Sequence, residues 1–268
     1  MFTSSYPKVT LIQSKVGNGI TDPKYAVLEN TTNIVLKEYN GNEGNLILFN
    51  EYVCYKLAIL LDLPMPESGF CIIDENTKDD GGLITKDNYG ISFYSTLINK
   101  VAPLKLGIIS KIQNKDIFLR LLLFDHFIYN KDRNPGNLLV QFYKNDIKLY
   151  MIDHSHVFKN EAIWDSQCLE IGIKENDYSD TQIIEKNKVL YNMFFQNVVI
   201  NKEKLECEKQ LFQKRINYDI ISKFIDECPK EIKPSKMDID SLIKYLLYRL
   251  DNLDKIIAII CGNLNYEI

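Results

Sequence analysis

No stretch of this 268-residue sequence approaches the ~18 uninterrupted apolar residues that a membrane-crossing helix needs, and its richest run, Ile256 to Cys261, is far shorter. Met1 to Lys8 lacks a basic region followed by an apolar core, so no signal peptide is expected. No basic block dominates any segment and the formal net charge is -4, which argues against nucleic acid as a direct partner. Lys100, Lys105, Lys111 and Lys115 come nearest to such a block and read as a solvated face. The six cysteines (Cys54, Cys71, Cys168, Cys207, Cys228 and Cys261) contain no CxxC pair, which leaves a structural zinc and a thioredoxin-type redox motif unsupported. Reduced, buried thiols in a cytoplasmic protein fit the pattern better than disulfides. Internal repeats and low-complexity linkers are missing too.

What is present suffices for a packed core: 46% hydrophobic and 25% charged residues are ordinary for a globular chain. The length admits one large domain or two small lobes sharing a cleft. The first hundred residues read as strands with one helix. Val9 to Lys15, Tyr25 to Leu28, Asn33 to Tyr39, Phe70 to Ile73 and Ile91 to Leu97 are the expected strands. Asn45 to Leu63 carries helical spacing and is stopped by Pro64 and Pro66, and Asp74 to Gly82 is a polar loop. Beyond about Leu104 the pattern turns helical. A strongly apolar helix is expected over Lys115 to Tyr129, and two short strands over Leu138 to Phe142 and Lys148 to Ile152. Residues 181–262 are almost all helix, with one sustained run from Asp238 to Ile260 packed on the core.

The chemistry concentrates in Asn130-Lys131-Asp132-Arg133-Asn134-Pro135-Gly136-Asn137 and in Ile152-Asp153-His154-Ser155-His156. Phosphoryl transfer needs one carboxylate near the attacking hydroxyl, with a second carboxylate and an amide oxygen holding Mg²⁺ against the phosphates. Asp132 and Asn137 share one polar loop, and a strand hairpin can return Asp153 beside them. Alone, the first segment is a run of turn residues. Its order relative to the upstream region is what gives it weight. Lys37 sits in an apolar strand and Glu51 lies on the following helix, as in kinases where a strand lysine meets the phosphates and a helix glutamate holds it. Gly17-Asn18-Gly19 sits between the first two strands, where backbone N–H groups can approach phosphate, though by itself it is a common hairpin turn. His154 and His156, two apart, permit a transition-metal site; supporting roles in the metal loop are the preferred interpretation. His126, beside Asp125 on an apolar helix, reads as a packed core residue.

These segments resemble the HipA-like kinases, in particular the compact stand-alone bacterial branch. There the catalytic loop reads like N-x-D-R-H-P-G-N-L and the metal loop like I-D-H-[GS]-H. Asn50-Glu51 through Leu61-Asp62-Leu63-Pro64-Met65-Pro66 is similar to that family's helix and its exit, and Gly90 to Ser95 resembles its strand entering the hinge. The catalytic loop is also similar to that of the phosphatidylinositol 3- and 4-kinases. The resemblance implies an α+β, two-lobed protein-kinase-like fold, with a strand-rich N-lobe over residues 1–98 and a helical C-lobe over 99–268. It implies ATP and Mg²⁺ as cofactors, Asp132 as catalytic base, Asn137 and Asp153 on the metal, and Lys37 on phosphate with Glu51 behind it. Gly17, Asn18 and Gly19 would cover the phosphates, and adenine would lie near Phe93, Tyr94, Ser95 and Leu97. A Ser/Thr protein substrate follows as the first expectation. A small-molecule or lipid kinase and a nucleotide-binding pseudokinase are the alternatives, and the basic membrane-facing patch of a lipid kinase is not seen. The resemblance also admits an antitoxin-like partner. Two departures stand out: Asn134 replaces the histidine two residues after the aspartate, and the glycine of the D-F-G pattern is absent.

Overall fold

The strand-forming runs of the first hundred residues assemble into one twisted sheet in the computed structural model, which describes residues 6–17, 21–144 and 146–264. Its strands are β1 (Val9–Lys15), β2 (Lys24–Leu28), β3 (Asn33–Lys37), β4 (Ser68–Ile73), β5 (Lys78–Asp79) and β6 (Gly90–Thr96), in spatial order β4-β6-β3-β2-β1-β5. Side chains alternate along a strand, so the sheet has two distinct faces. Val9, Ile12, Ala26, Leu28, Ile34, Leu36, Cys71 and Ile73 close a small core on one of them. Lys37 stands opposite Phe93 in the β3–β6 register and shares the other face with it, whereas Leu36 and Tyr94 belong to the small core. Gly90 begins β6 at φ 153, a conformation L side chains rarely adopt, and a Cβ there would lie 2.8 Å from the Tyr39 ring.

Helix α1 (Leu46–Leu60) covers the Lys37 face, and its buried residues occupy every side of it, from Ile47 to Ala58. A helix apolar all round must be packed all round. The sheet lies on one side of it and C-terminal helices on the other, so Leu57, Ala58, Phe70 and Phe93 belong to the same large core as the second half of the chain. Its last carbonyls, which a helix leaves unpaired, receive arginines: Arg215 Nη1 donates to Leu60 O at 2.8 Å and Arg120 Nη1 to Leu61 O at 2.9 Å. Asp62 then turns left-handed at φ 51, just before Pro64.

The second half holds a three-stranded sheet, β7 (Val101–Pro103), β8 (Leu138–Tyr143) and β9 (Asp146–Met151), in the order β7-β8-β9. Its helices are α2 (Phe118–Phe127), α3 (Ser166–Lys174), α4 (Gln182–Phe195), α5 (Lys202–Arg215), α6 (Tyr218–Asp226), α7 (Lys236–Asp251) and α8 (Leu253–Leu264). Several details differ from the sequence expectations, the short β7 among them. The run from Asp238 to Ile260 is two helices. Asn252 ends α7 by donating its N–H to Tyr248 and Arg249 carbonyls, and it opens α8 by accepting from Lys255 and Ile256. Helix α3 is absent from those expectations, although its Asp165 is a good N-cap, accepting from Cys168 N at 2.8 Å. The polar loop of residues 74–82 contains the two-residue β5, parallel to β1 and too short to leave a pattern. All six cysteines are free thiols. Among the described residues no helix is long and apolar enough to cross a membrane.

Candidate active site

Lys37, the last residue of β3, projects between α1 and the segment after β9. Its Nζ donates to Glu51 Oε1, to Asp153 Oδ1 at 2.8 Å and to Ser155 Oγ at 2.6 Å. Those three partners use all three of its N–H bonds. Glu51 Oε1 also accepts the backbone N–H of His154 at 3.0 Å, and Ser155 Oγ lies 3.0 Å from it. The glutamate therefore orients both the lysine and the loop that carries Asp153. Burial would lower the Lys37 ammonium, but the carboxylates of Asp153 and Glu51 outweigh it and hold the group charged. Burial likewise would raise Asp153, and the Lys37 ammonium with the Ser155 hydroxyl brings it well below the usual carboxylate range. Asp153 itself sits left-handed at φ 59, a strained position for a non-glycine residue of the kind that collects at functional sites. Its side chain keeps 31% exposure, so its carboxylate is reachable from solvent.

The loop from Asn130 to Asn137 is held from beneath by a buried polar network. Arg133 is fully buried and spends its guanidinium on Asp125 at 2.9 Å, on the Ile152 carbonyl at 3.1 Å and on His154 Nε2 at 2.7 Å. Arginine only donates, so His154 Nε2 is the acceptor and the ring is neutral with its proton on Nδ1. Burial, then the Arg133 charge, hold its pKa well below the ordinary value. Asn187 takes the Arg133 N–H at 2.8 Å and donates to the Asn130 carbonyl at 2.8 Å. Above this base, Asp132 is exposed at the surface of the loop. Partial desolvation and the nearby Asp153 charge raise its pKa, and Asn134 offsets this by a weak contact at 3.4 Å. Asn137 Nδ2 donates to the Asp132 carbonyl at 2.6 Å, which leaves Oδ1 as the atom this amide offers elsewhere. Ile152 N donates to the Asn137 carbonyl at 3.1 Å, so Asn137 and Asp153 are held side by side.

Two oxygen donors next to each other suit a hard divalent cation that takes its remaining ligands from phosphate and water. Among the described residues no cluster of three or more His, Cys, Asp or Glu side chains offers a self-sufficient metal cage. The histidines point apart: His154 is buried on Arg133, while His156 Nε2 meets Glu43 Oε1 at 3.2 Å. Gly17 turns at φ 89 after β1; Asn18 and Gly19 lie outside the described residues. Of the hinge candidates, Phe93 is buried against Phe70, and Ser95 falls on the Lys37 face in the β3–β6 register. Tyr94 packs on the opposite face, against the small core. Leu97 continues past the strand, its N–H on the Asn33 carbonyl at 2.9 Å.

Several contacts of the site carry no obvious sequence signal. Asn187 is an ordinary helix-face residue until the fold joins it to Arg133 and Asn130, and although Arg133 and Ser155 lie inside the two loop motifs, their bonds to Asp125, His154 and Lys37 appear only in the fold. Asp125 does leave one: it is the acidic residue of α2, whose residues other than Arg120 and His126 are apolar, and a lone carboxylate on a buried helix needs a partner.

The family model of the HipA-like kinases matches residues 9–205, and the chain belongs to that family. No curated protein matches the sequence. Among solved structures, the Helicobacter pylori proinflammatory kinase CtkA is similar with a TM-score of 0.61 at 13% identity, over 97% of this chain and 98% of that one. The Golgi casein kinase, solved with Mn/ADP bound, is similar with a TM-score of 0.55 at 10% identity, over 96% of this chain and 73% of that one. These likenesses are of fold: the chain has the two-lobed protein-kinase-like architecture, with a strand-rich N-lobe and a helical C-lobe.

Proposed function

We propose that this HipA-like kinase transfers the γ-phosphate of ATP, with Mg²⁺, to a serine or threonine hydroxyl of a protein. The observation that carries it is the placement of the buried Lys37 Nζ, held charged among Glu51, Asp153 and Ser155. The Golgi casein kinase of the same fold, with its Mn/ADP, supports nucleotide and divalent-metal use. The family's kinase activity supports the reaction class.

In this reaction most of the catalysis is positioning and electrostatics. Lys37 would leave Asp153 for the phosphates while Glu51 keeps its reach fixed. Asn137 Oδ1 and Asp153 would hold Mg²⁺, which when bound neutralises phosphate charge. Asp132, its basicity raised by partial burial and then by the Asp153 charge, would orient the acceptor hydroxyl and take its proton. Residues 1–98 would form the lobe over the nucleotide and residues 99–268 the lobe beneath it. The Gly17-to-Gly19 turn would cover the phosphates, with adenine against the backbone of Phe93 to Leu97. Incubation with γ-labelled ATP and Mg²⁺ tests this: label on serine or threonine of protein acceptors supports it, and label found only on lipid or small molecules rejects the protein-substrate assignment.

A further inference from the structure

Glu51 has a neighbour on α1 that also grips the segment following Asp153. Asn50 is fully buried. Its Nδ2 donates to the Ser155 carbonyl at 2.7 Å and to the Glu161 carbonyl at 3.4 Å, and its Oδ1 accepts the indole N–H of Trp164 at 2.9 Å. One side chain thus fastens three points of residues 155–164 to the helix that positions Lys37. The segment between needs such restraint. Phe158, Asn160 and Glu161 are all left-handed, at φ 66, 72 and 59, conformations that persist only when the surroundings impose them.

The outer side of this segment forms one wall of a cavity of about 560 Å³, built from His156, Glu161, Ala162 and Ile163 among others. Lys131, the residue before Asp132, stands in the same cavity. Its charge is already matched, since Lys131 Nζ meets Glu161 Oε1 at 3.4 Å. The rim is mixed: Lys159, Asp180 and Gln182 line it together with two exposed apolar side chains, Ile163 at 75% and Ile171 at 46% exposure.

Building on the phosphotransfer assignment above, we propose that this cavity receives the acceptor polypeptide beside its hydroxyl, and that Asn50 and Trp164 are positioning residues holding its wall in register with the nucleotide cluster. The acceptor then carries an apolar side chain next to the phosphorylated residue, set against Ile163 and Ile171. Asn50 and Trp164 touch neither substrate; they act through the Ser155 and Glu161 carbonyls.

The test measures KM for ATP and for a degenerate Ser/Thr peptide library with apolar flanks, on the full chain. Trp164→Phe keeps the ring packed on Phe49 and Phe158 and deletes the N–H; Asn50→Ala deletes the whole clamp; Ile163→Asp changes only the exposed rim. Trp164→Phe and Ile163→Asp raise KM for the peptides about tenfold, the scale of removing one buried hydrogen bond or one apolar side chain, while KM for ATP stays within about twofold; Asn50→Ala raises the peptide KM at least as much. Trp164 is the sole tryptophan of the chain, so its emission also changes when peptide binds the wild type, and not in Ile163→Asp. If Trp164→Phe and Ile163→Asp keep the wild-type peptide KM, or if both KM values rise together, the assignment of the cavity and clamp is wrong. A wild-type chain that phosphorylates no peptide of the library overturns the protein-substrate assignment, and this inference with it.

Discussion

Lys37 and Asp153 are 116 residues apart in the chain and 2.8 Å apart at Nζ and Oδ1. This ion pair joins the end of a strand in the N-terminal sheet to the loop leaving the C-terminal one. Glu51 fixes the lysine from one side and the His154 backbone from the other, which makes these residues one unit.

Residues acting as a unit should show strong coupling. Lys37→Ala is expected to lower phosphotransfer on the order of a hundredfold, the scale of removing one electrostatic partner of the reacting group. Glu51→Gln should cost less, since the glutamate acts through the lysine and the loop. The double variant should be little worse than Lys37→Ala. Initial-rate measurements on the four proteins give the coupling; multiplication of the two single losses would show that Glu51 works independently of Lys37.

Nucleotide binding should raise the melting temperature. At Mg-ATP about 100 times its dissociation constant, mass action contributes ~2.7 kcal/mol. Asp153→Ala should lose most of the part that EDTA removes in the wild type, because its carboxylate is assigned to the metal. An unchanged melting temperature in the wild type with millimolar Mg-ATP would contradict the assignment of the cluster.

Acid should destabilise the fold through its buried histidines. Burial, then the Arg249 charge, push His126 down to about 3, against ~6.5 in an unfolded chain. Between those values the unfolded state binds the extra proton, so stability falls as pH falls through that window, by up to ~1.4 kcal/mol per pH unit. Between pH 6.5 and 4.5 His126 alone accounts for roughly 2 kcal/mol. His126→Phe should therefore flatten the urea-unfolding stability between pH 6.5 and 4.5 by about that amount. Parallel curves for the two proteins would mean that His126 titrates normally.

Arg133 and Asp125 are both fully buried, 2.9 Å apart. Arg133→Met leaves a carboxylate in the core without its cation, which typically costs ~3–5 kcal/mol. Adding Asp125→Asn should recover a large part of it, since the uncompensated charge is gone. Urea midpoints of the single and double variants decide this; a double variant as unstable as the single would mean that packing, not charge, sets the loss.

The strand-then-helix order, the α1 span and the β8–β9 hairpin are legible in the sequence because period and punctuation agree there. The pairing of Lys37 with Glu51 is legible as well, because only the order of elements is needed to propose it. The break at Asn252 is not: apolar spacing runs unchanged through it, and the cue is one asparagine whose backbone serves two helices. Asn50 and Trp164 are equally hidden. A buried asparagine next to a glutamate looks like another helix-face polar residue until the loop bearing Trp164 folds back onto α1. Tyr94 shows a third limit: strand alternation places it opposite Lys37, but which face meets the cleft depends on where α1 packs.

The division of labour between Asp132 and Asp153 is the centre of this account. Asp132 is exposed on its loop and bonds to Asn130 and Asn134 of that same loop, whereas Asp153 is bonded to Lys37 directly. A group used only when the hydroxyl attacks lowers turnover without changing nucleotide affinity. The decisive measurement is ATP affinity and phosphotransfer turnover of Asp132→Asn beside the wild type. Affinity should stay within a few-fold while turnover falls on the order of a hundredfold or more, the scale of a lost positioned base. Wild-type turnover in Asp132→Asn, with the wild type a proven kinase, would contradict the account and place the base elsewhere.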